Sequence, residues 1–238
     1  LETHWLTRGQ INFTDQKINQ SLALESSMDR RNSTIDLSEA SDRVSALLVY
    51  RLLHSQPILR SAVFACRSSR AQVPGFGVLT LTKFASMGSA LCFDVESLVF
   101  YTILVTSWLK AQHLRFTDAN MKLATRKVFV YGDDLVVPTD TTSTAIHYLE
   151  VLGLKVNEAK TFKEGNFRES CGVDAYNGCN VTPVYVRLDA PTSRQNVDSV
   201  LSWVSLSNQL HAAGMWISAK YCLDLVEKAV RFQIPLGT

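Results

Sequence analysis

The stretch Val128-Phe-Val-Tyr131-Gly132-Asp133-Asp134-Leu135-Val-Val137 decides how this sequence folds. Two short apolar runs of β-forming residues, 128–130 and 135–137, flank a turn that contains a glycine, which is the signature of a β-hairpin. Gly132 gives the turn the freedom in φ that a tight reversal of the chain needs. The hairpin therefore carries two adjacent carboxylates, Asp133 and Asp134, on a rigid turn between buried strands.

Two carboxylates next to buried strands raise the free energy of the folded chain unless positive charge lies beside them. Because successive strand side chains point to opposite faces, we expect Asp133 to be the stronger metal ligand and Asp134 an accessory. A second strand ends upstream at Ile35-Asp36-Leu37 and can bring a third carboxylate to the hairpin. Such oxygen ligands suit two divalent cations ~3.5–4 Å apart, the usual device for nucleotidyl transfer. The alternatives are an Asp-rich hairpin in solvent and, for Asp36, a helix N-cap.

Composition excludes several other classes of protein. With 46% hydrophobic and 19% charged residues, the chain is typical of a globular protein. The net charge of +2 is low for a nucleic-acid-binding protein, so any RNA-binding surface must be local. The five cysteines are odd in number and form no CxxC pair, which argues against zinc fingers and secreted disulfide scaffolds and predicts free thiols.

The longest apolar run covers residues 98–109 and is interrupted by Thr102, Thr106 and Ser107. A membrane-spanning helix needs ~20 apolar residues, so this run predicts a buried core helix instead. No signal peptide opens the chain. We therefore expect a protein of the cytoplasm without a membrane partner.

The order of the predicted elements indicates an α+β fold with antiparallel hairpins and no regular βαβ alternation. Residues 1–33 are polar and are expected to be irregular. Hydrophobic periodicity and turn residues predict the remaining elements. These are helices over 41–53, 57–66, 88–109 and 141–152 and from 194 onward, and strands over 33–37, 78–82, 128–130, 135–137, 154–156, 171–176 and 184–186.

Several segments together resemble the replicases (beta subunits) of the single-stranded RNA bacteriophages, the leviviruses. They occur in the family's order and at plausible spacing over roughly residues 10–190. They are Asp15-Gln-Lys-Ile-Asn-Gln20, Thr34-Ile-Asp-Leu-Ser-Glu-Ala-Ser-Asp42, Ser86-Met-Gly-Ser-Ala-Leu-Cys-Phe-Asp-Val-Glu-Ser-Leu98, Tyr131-Gly-Asp-Asp134, Gly153-Leu-Lys-Val-Asn-Glu-Ala-Lys-Thr-Phe162, Phe167-Arg-Glu-Ser-Cys-Gly172 and Thr182-Pro-Val-Tyr-Val-Arg187.

The resemblance implies a polymerase palm, an antiparallel sheet backed by helices with an RRM-like arrangement. Residues 33–190 would be the palm with motifs A to E, 1–32 a remnant of the fingers–palm connection, and 191–238 the start of a helical thumb. The fingers, with their basic motif, are expected before residue 1, and most of the thumb after residue 238. We therefore expect a partial chain that is inactive on its own.

Family roles carry over by position. Asp36 and Asp133, assisted by Asp134, would hold two Mg²⁺ ions, which Mn²⁺ can replace, and Lys160 would protonate the departing pyrophosphate. The nucleotide and its ribose would be bound by Asp42, Ser86, Gly88, Ser89, Glu96 and Ser97. Asp42 would accept from the ribose hydroxyls. Cys92 departs from the family, which usually has threonine there.

Solvated charges are the alternative interpretation for Asp42 and for Lys160. The same applies to the basic cluster Lys122, Arg126 and Lys127, which either contacts RNA phosphates or forms a solvated face before the hairpin.

The function implied is template-directed addition of ribonucleotides to an RNA 3′-end during replication of a viral RNA genome. Its partners would be the RNA template and product, ribonucleoside triphosphates and, by family resemblance, host translation factors in the bacterial cytoplasm. One alternative is a reverse-transcriptase-like polymerase, against which Asp42 and Gly132 both argue. Another is a catalytically silent RNA-binding remnant of the palm, which would have lost metal dependence.

Overall fold

A computed structural model describes residues 2–4, 7–85 and 88–234 of the chain. The chain divides into two compact units, residues 1–181 and 182–238. Small antiparallel sheets and helices alternate without a parallel βαβ unit in the described residues, so the predicted α+β class is confirmed. The assignment of palm and thumb stays a prediction.

The helices of the described residues are α1 Lys17–Asp29, α2 Ala40–Arg43, α3 Ala46–Leu52, α4 Pro57–Ala65, α5 Cys92–Ala111, α6 Asp118–Ala124, α7 Thr142–Val151, α8 Val197–Ala212 and α9 Trp216–Val230. The strands are β1 Asn32–Ile35, β2 Leu37–Ser38, β3 Arg70–Val73, β4 Gly77–Thr80, β5 Phe129–Tyr131, β6 Asp134–Pro138, β7 Lys155–Val156, β8 Phe167–Ser170, β9 Val173–Tyr176 and β10 Cys179–Asn180. Short 3₁₀ turns cover Thr139–Thr141 and Glu158–Lys160.

The central sheet has the order β1-β6-β5, and all its pairings are antiparallel. The predicted hairpin is confirmed, because β5 and β6 pair up to Tyr131 opposite Asp134 and leave Gly132 and Asp133 as a two-residue turn. Gly132 has φ 57°, the positive value that a type II′ turn has at its first central position. Since Ile35 pairs with Leu135, Asp36 follows β1 level with Asp134, at the turn end of the hairpin.

Helix α5 forms the centre of the core behind this sheet. Its residues are buried on nearly all sides, including Val99, Phe100 and Leu104. The helix is long and apolar enough to cross a membrane by length and composition alone, but 72% of the relevant window is buried inside the fold. The apolar run is thus a buried core helix, as predicted.

Helix α1 contradicts the prediction that residues 1–33 are irregular. Its buried face consists of Asn19, Ala23, Ser26 and Ser27, which are small or polar residues at helical spacing. Because no apolar stripe marks this helix, hydrophobic periodicity could not detect it. Tertiary packing against β1, β6, β8 and β9 stabilises it instead.

Three other predictions of elements were partly wrong. The helix predicted over 41–53 is interrupted at Val44 and Ser45, where Val44 has extended backbone geometry, and forms α2 and α3. The strand predicted over 171–176 is shortened by a turn at Cys171 and Gly172, whose φ values are 50° and 72°. Residues 184–186 form no strand, since they lack a pairing partner among the described strands.

Helices α8 and α9 form a helical pair over residues 197–230, as the predicted helical tail implies. Helices α8 and α9 pack against each other through Leu206, Ala219 and Cys222. The Ser207 hydroxyl donates to the carbonyl of Ala219 across this contact, at 2.7 Å. All five cysteines of the chain are free thiols, as predicted.

We predict that Gly132→Ala lowers the free energy of unfolding by about 1–3 kcal/mol, because a side chain at positive φ is strained. A Cβ would in addition lie 2.4 Å from the Phe93 ring. The measurement is urea unfolding of the chain. Gly153→Ala is the matched control, since Gly153 has φ 86° but nothing within 4 Å of its Cβ position. An equal cost at both positions would mean that the Phe93 contact contributes nothing.

Candidate active site

Asp36 lies between β1 and β2, where the chain passes from the central sheet to the pairing with β7. The Asn157 side-chain amide donates to Asp36 Oδ2 at 2.9 Å, and the Asn157 backbone N–H donates to the Asp36 carbonyl at 2.9 Å. Burial raises the pKa of Asp36, Asn157 and Lys160 oppose this shift, and the charge of Asp133 adds to it. Asn157 thus orients Asp36, a role that the sequence analysis missed.

Asp134 is engaged by the turn between β8 and β9. Its Oδ1 accepts from the backbone N–H of Cys171 at 3.0 Å and from the Ser170 hydroxyl at 3.2 Å. Burial raises the pKa of Asp134, and the Cys171 hydrogen bond opposes the shift. Asp133, in contrast, is exposed at the tip of the hairpin. The two neighbouring acids therefore have different environments: Asp134 is held by hydrogen bonds, and Asp133 is exposed to solvent.

A cavity of about 450 Å³ adjoins the hairpin. Its size falls within the ~300–1,000 Å³ of small-molecule pockets. Residues from α2, from the start of α5 and from the hairpin turn line it, namely Glu39, Ala40, Ser41, Asp42, Gly88, Ser89, Cys92, Phe93, Glu96 and Asp133. The structure thus brings Asp42, Gly88, Ser89 and Glu96 together with Asp133.

Two other residues that were predicted to bind the nucleotide are not found in the cavity lining. Ser97 is fully buried in α5, where its hydroxyl has no hydrogen-bond partner. Adjacent helical residues point about 100° apart, so Glu96 can face the cavity while Ser97 faces the core. Ser86 lies outside the described residues.

Glu96 is a buried carboxyl in the cavity wall, with 7% of its surface exposed. Burial, and secondarily the charges of Asp133 and Asp42, raises the pKa of Glu96 to about 7. The Cys92 thiol donates to Glu96 Oε2 at 3.9 Å, and burial beside Glu96 raises the pKa of Cys92 to about 11. Cys92 is therefore a neutral thiol that donates a weak hydrogen bond to Glu96.

The site concentrates negative charge. Within 4 Å, the ion pairs of the described residues are Arg31–Asp29 and Arg43–Glu39, and neither involves Asp36, Asp133 or Glu96. The charge of Lys160 opposes the rise in the pKa of Asp36 that burial causes, but Lys160 forms no ion pair with Asp36 within 4 Å. Carboxylate oxygens are the donors that hard divalent cations prefer, so the chemical type of these side chains suits Mg²⁺.

The three predicted metal ligands do not form a closed metal site. In the described parts of the chain, no group of three or more His, Cys, Asp or Glu side chains is arranged to hold a metal ion. The hydrogen bonds of Asp134 to Ser170 and Cys171 explain this in part, since they direct one of the three carboxylates toward the β8–β9 turn.

The predicted RNA-contacting cluster is separate from the cavity. Lys122 lies in α6, and Arg126 and Lys127 follow that helix before β5. All three are exposed, and none belongs to the cavity lining. Their contact with RNA stays a prediction.

Comparisons with known proteins give the chain's relatives. The family model described as RNA replicase, beta-chain matches residues 4–223. The chain is 37% identical over 177 residues to the RNA-directed RNA polymerase subunit beta of Qbeta virus (strain MX1), covering 74% of this chain and 28% of the relative. The same subunit of Escherichia virus Qbeta is 36% identical over 230 residues, which cover 95% of this chain and 37% of the relative.

The RNA-directed RNA polymerase beta chain of Escherichia phage MS2 is 34% identical over 205 residues, which cover 86% of this chain and 34% of the relative. The chain thus spans about a third of the length of the curated relatives it matches. These matches confirm the resemblance to phage replicases that the sequence motifs indicated.

We predict that Glu96 makes the stability of the metal-free chain fall as the pH rises. Its pKa is about 7 in the folded chain and about 4.5 when unfolded, so the folded state binds one proton more between these values. The free energy of unfolding should then decrease by ~1 kcal/mol per pH unit over this window. Urea unfolding with a chelator measures this decrease.

Glu96→Gln should flatten that part of the pH profile, whereas Glu150→Gln, at an exposed position on α7, should leave it unchanged. Parallel pH profiles for wild type and Glu96→Gln would contradict the assignment.

Proposed function

Because the chain belongs to the RNA replicase beta-chain family, we propose that it forms the catalytic palm of a phage RNA-directed RNA polymerase. The reaction is template-directed transfer of a ribonucleotide to an RNA 3′-end. The observation that carries this proposal is the register of β1 against β6, which puts Asp36 beside the Asp133–Asp134 turn, next to a cavity that contains Asp42.

Asp36 and Asp133 are the residues that would hold the metal ions, and Asp134 assists by anchoring the hairpin to the β8–β9 turn. Bound Mg²⁺ supplies activation of the attacking 3′-hydroxyl and stabilisation of the pyrophosphate leaving group. Asn157 fixes the orientation of the Asp36 carboxylate by donating to Oδ2. A fixed carboxylate loses little further freedom on binding a cation, which favours a defined geometry.

Asp42 is proposed to accept hydrogen bonds from the ribose hydroxyls of the incoming nucleotide. It is exposed to the cavity and lies on α2, opposite the start of α5. The influence of Asp42 on the pKa of Glu96 supports a close approach of these two acids in the cavity. Gly88 and Ser89 precede α5 and offer backbone N–H groups and a hydroxyl to the nucleotide or template.

Lys160 is proposed to donate the proton that the departing pyrophosphate takes up. It ends the 3₁₀ turn that follows Asn157. Burial raises the pKa of both Asp36 and Glu169, and the charge of Lys160 opposes this rise at each. The ammonium group therefore lies on the side of the site where Asp36 is. Lys122, Arg126 and Lys127 would contact RNA phosphates from an exposed face.

At the level of the whole protein, the proposal is replication of a viral RNA genome in the cytoplasm of a bacterial host. The partners would be template and product RNA and ribonucleoside triphosphates, and host translation factors by family resemblance. The named activity of the curated relatives supports an RNA polymerase over a reverse transcriptase. Dependence of activity on Asp133 separates an enzyme from a silent remnant.

We predict that Asp36→Asn and Asp133→Asn each reduce synthesis by the complete encoded polypeptide ~10³-fold or more. Asparagine preserves size but removes the charge that balances a dication, a loss of several kcal/mol. Asp134→Asn should retain measurable activity, because its main contacts are hydrogen bonds from Ser170 and Cys171. Primer extension measures all three variants, with Asp140→Asn as the control outside the site. Wild-type turnover by either of the first two variants would remove the metal assignment.

We predict that Asp42→Ala lowers the preference for ribonucleotides over deoxyribonucleotides. In the wild type, a sugar without the hydroxyl leaves the Asp42 carboxylate unpaired, which can disfavour that sugar by up to ~10⁴ in favourable cases. Alanine removes the carboxylate and with it this penalty. The measurement is the ratio of kcat/KM for the two sugars in single-nucleotide extension. An unchanged ratio would assign Asp42 to the solvated face of α2.

A further inference from the structure

One face of α1 presents three carboxamides to the catalytic hairpin and to the turn that holds Asp134. The Gln16 side chain donates to the Tyr131 hydroxyl at 3.3 Å, and that of Asn19 donates to the Asp134 carbonyl at 3.1 Å. The Gln20 side chain donates to the Cys171 carbonyl at 3.0 Å. Gln16 precedes Asn19 by three positions and Gln20 by four, so it lies beside each of them on the helix surface. Asn19 and Gln20 are adjacent and diverge by about 100°, so Asn19 reaches the hairpin and Gln20 reaches the β8–β9 turn.

These contacts complete a closed ring of hydrogen bonds around Asp134. Asn19 binds the backbone carbonyl of Asp134, and Cys171 binds its carboxylate through the backbone N–H. Gln20 binds the carbonyl of the same Cys171. Since Asn19 and Gln20 are neighbours in one helix, the ring ties the hairpin and the β8–β9 turn to a common rigid element.

Asn19 is a poor residue for stability at this position. Only 1% of its surface is exposed, and its Oδ1 is buried without a hydrogen-bond partner. An unsatisfied buried acceptor costs about 1–3 kcal/mol, which offsets the stabilisation that the hydrogen bond to the Asp134 carbonyl provides. The amide is therefore explained better by the position it imposes on Asp134 than by the stability it provides.

We propose that Gln16, Asn19 and Gln20 form a carboxamide clamp that positions the Asp133–Asp134 turn for nucleotidyl transfer. The inference rests on the proposed function and adds positioning residues to it. None of the three residues belongs to the cavity lining, and their hydrogen bonds go to Tyr131, Asp134 and Cys171. It acts on the backbone of the hairpin, and displacement of a reacting group by about 1 Å can cost ~10²-fold in rate.

The central test is Asn19→Leu in the complete encoded polypeptide. Leucine has nearly the shape of asparagine but cannot donate to the Asp134 carbonyl, and it removes the unsatisfied Oδ1. We expect the melting temperature to change little, because removal of the unsatisfied Oδ1 offsets the lost hydrogen bond to the Asp134 carbonyl, while kcat falls ~10–100-fold. The KM for the nucleotide should change less than ~3-fold, because the clamp does not line the cavity.

Gln20→Met tests the other side of the ring and keeps the proposal testable if Asn19→Leu fails to fold. We expect a smaller loss of kcat, and a loss in the double variant that is less than the product of the single losses, because both act on one ring. Gln16→Met should have the smallest effect, since Gln16 is exposed. The control is Glu25→Gln, at an exposed position of α1, which should leave kcat unchanged.

A readout independent of activity is hydrogen exchange of the Cys171 amide in the metal-free protein. Loosening of the ring should raise its exchange rate in Asn19→Leu and Gln20→Met but not in Glu25→Gln. Wild-type kcat together with wild-type exchange in both clamp variants would overturn the proposal. So would a loss of activity that matches a loss of folded protein in both variants.

The Asp133→Asn variant, assayed in parallel, distinguishes failure of the clamp proposal from failure of the proposed function. If wild-type activity does not depend on Asp133, the proposed function fails, and the exchange measurement alone decides whether the clamp holds the turn. If activity depends on Asp133 but not on Asn19 or Gln20, only the clamp fails.

Discussion

The pairing of β1 with β6 is the constraint on which the rest of the site depends. Ile35 lies opposite Leu135, so the residue after β1 arrives level with the start of β6. A shift of one residue would turn the side chains of β1 to the other face, which the buried core behind the sheet does not permit. Burial of Ile35 and Leu135 thus fixes the position of Asp36, a proposed metal ligand.

The acids gathered by this register differ in their environments, which gives them different chemistry. Asp134 accepts two hydrogen bonds that attach the hairpin to the β8–β9 turn, whereas Asp133 is exposed to solvent. Glu96 is buried, and its pKa of about 7 makes it the acid of this site that changes charge near neutral pH. A bound cation would weaken the repulsion among the acids, so the proposed metal binding would be coupled to local stability.

The structure around the hairpin consists largely of polar contacts between backbone and short side chains. Helix α1 contributes Asn19 and Gln20, the segment after β7 contributes Asn157, and the β8–β9 turn contributes Ser170 and Cys171. Hydrogen bonds restrict direction as well as distance, which apolar contacts do not. A polar surround of this kind suits a site whose chemistry depends on orientation.

The sequence by itself determined the elements whose signals are local. The hairpin follows from two β-forming runs around Gly132, and the core helix α5 follows from the apolar run 98–109. The acids Asp36 and Asp133 could be assigned to one site because their motifs resemble those of a family. Composition and spacing alone left a solvated hairpin as an open alternative.

Only the tertiary structure decided which partners these acids have. Helix α1 has a small and polar buried face, so no periodic apolar signal predicted it. Family motifs predicted the same role for Glu96 and Ser97, but the rotation of α5 against the hairpin places Glu96, and not Ser97, in the cavity lining. The contacts of Asp36 with Asn157 and of Asp134 with Cys171 join segments far apart in the chain. Such contacts depend on the packing of whole elements, which local sequence patterns do not encode.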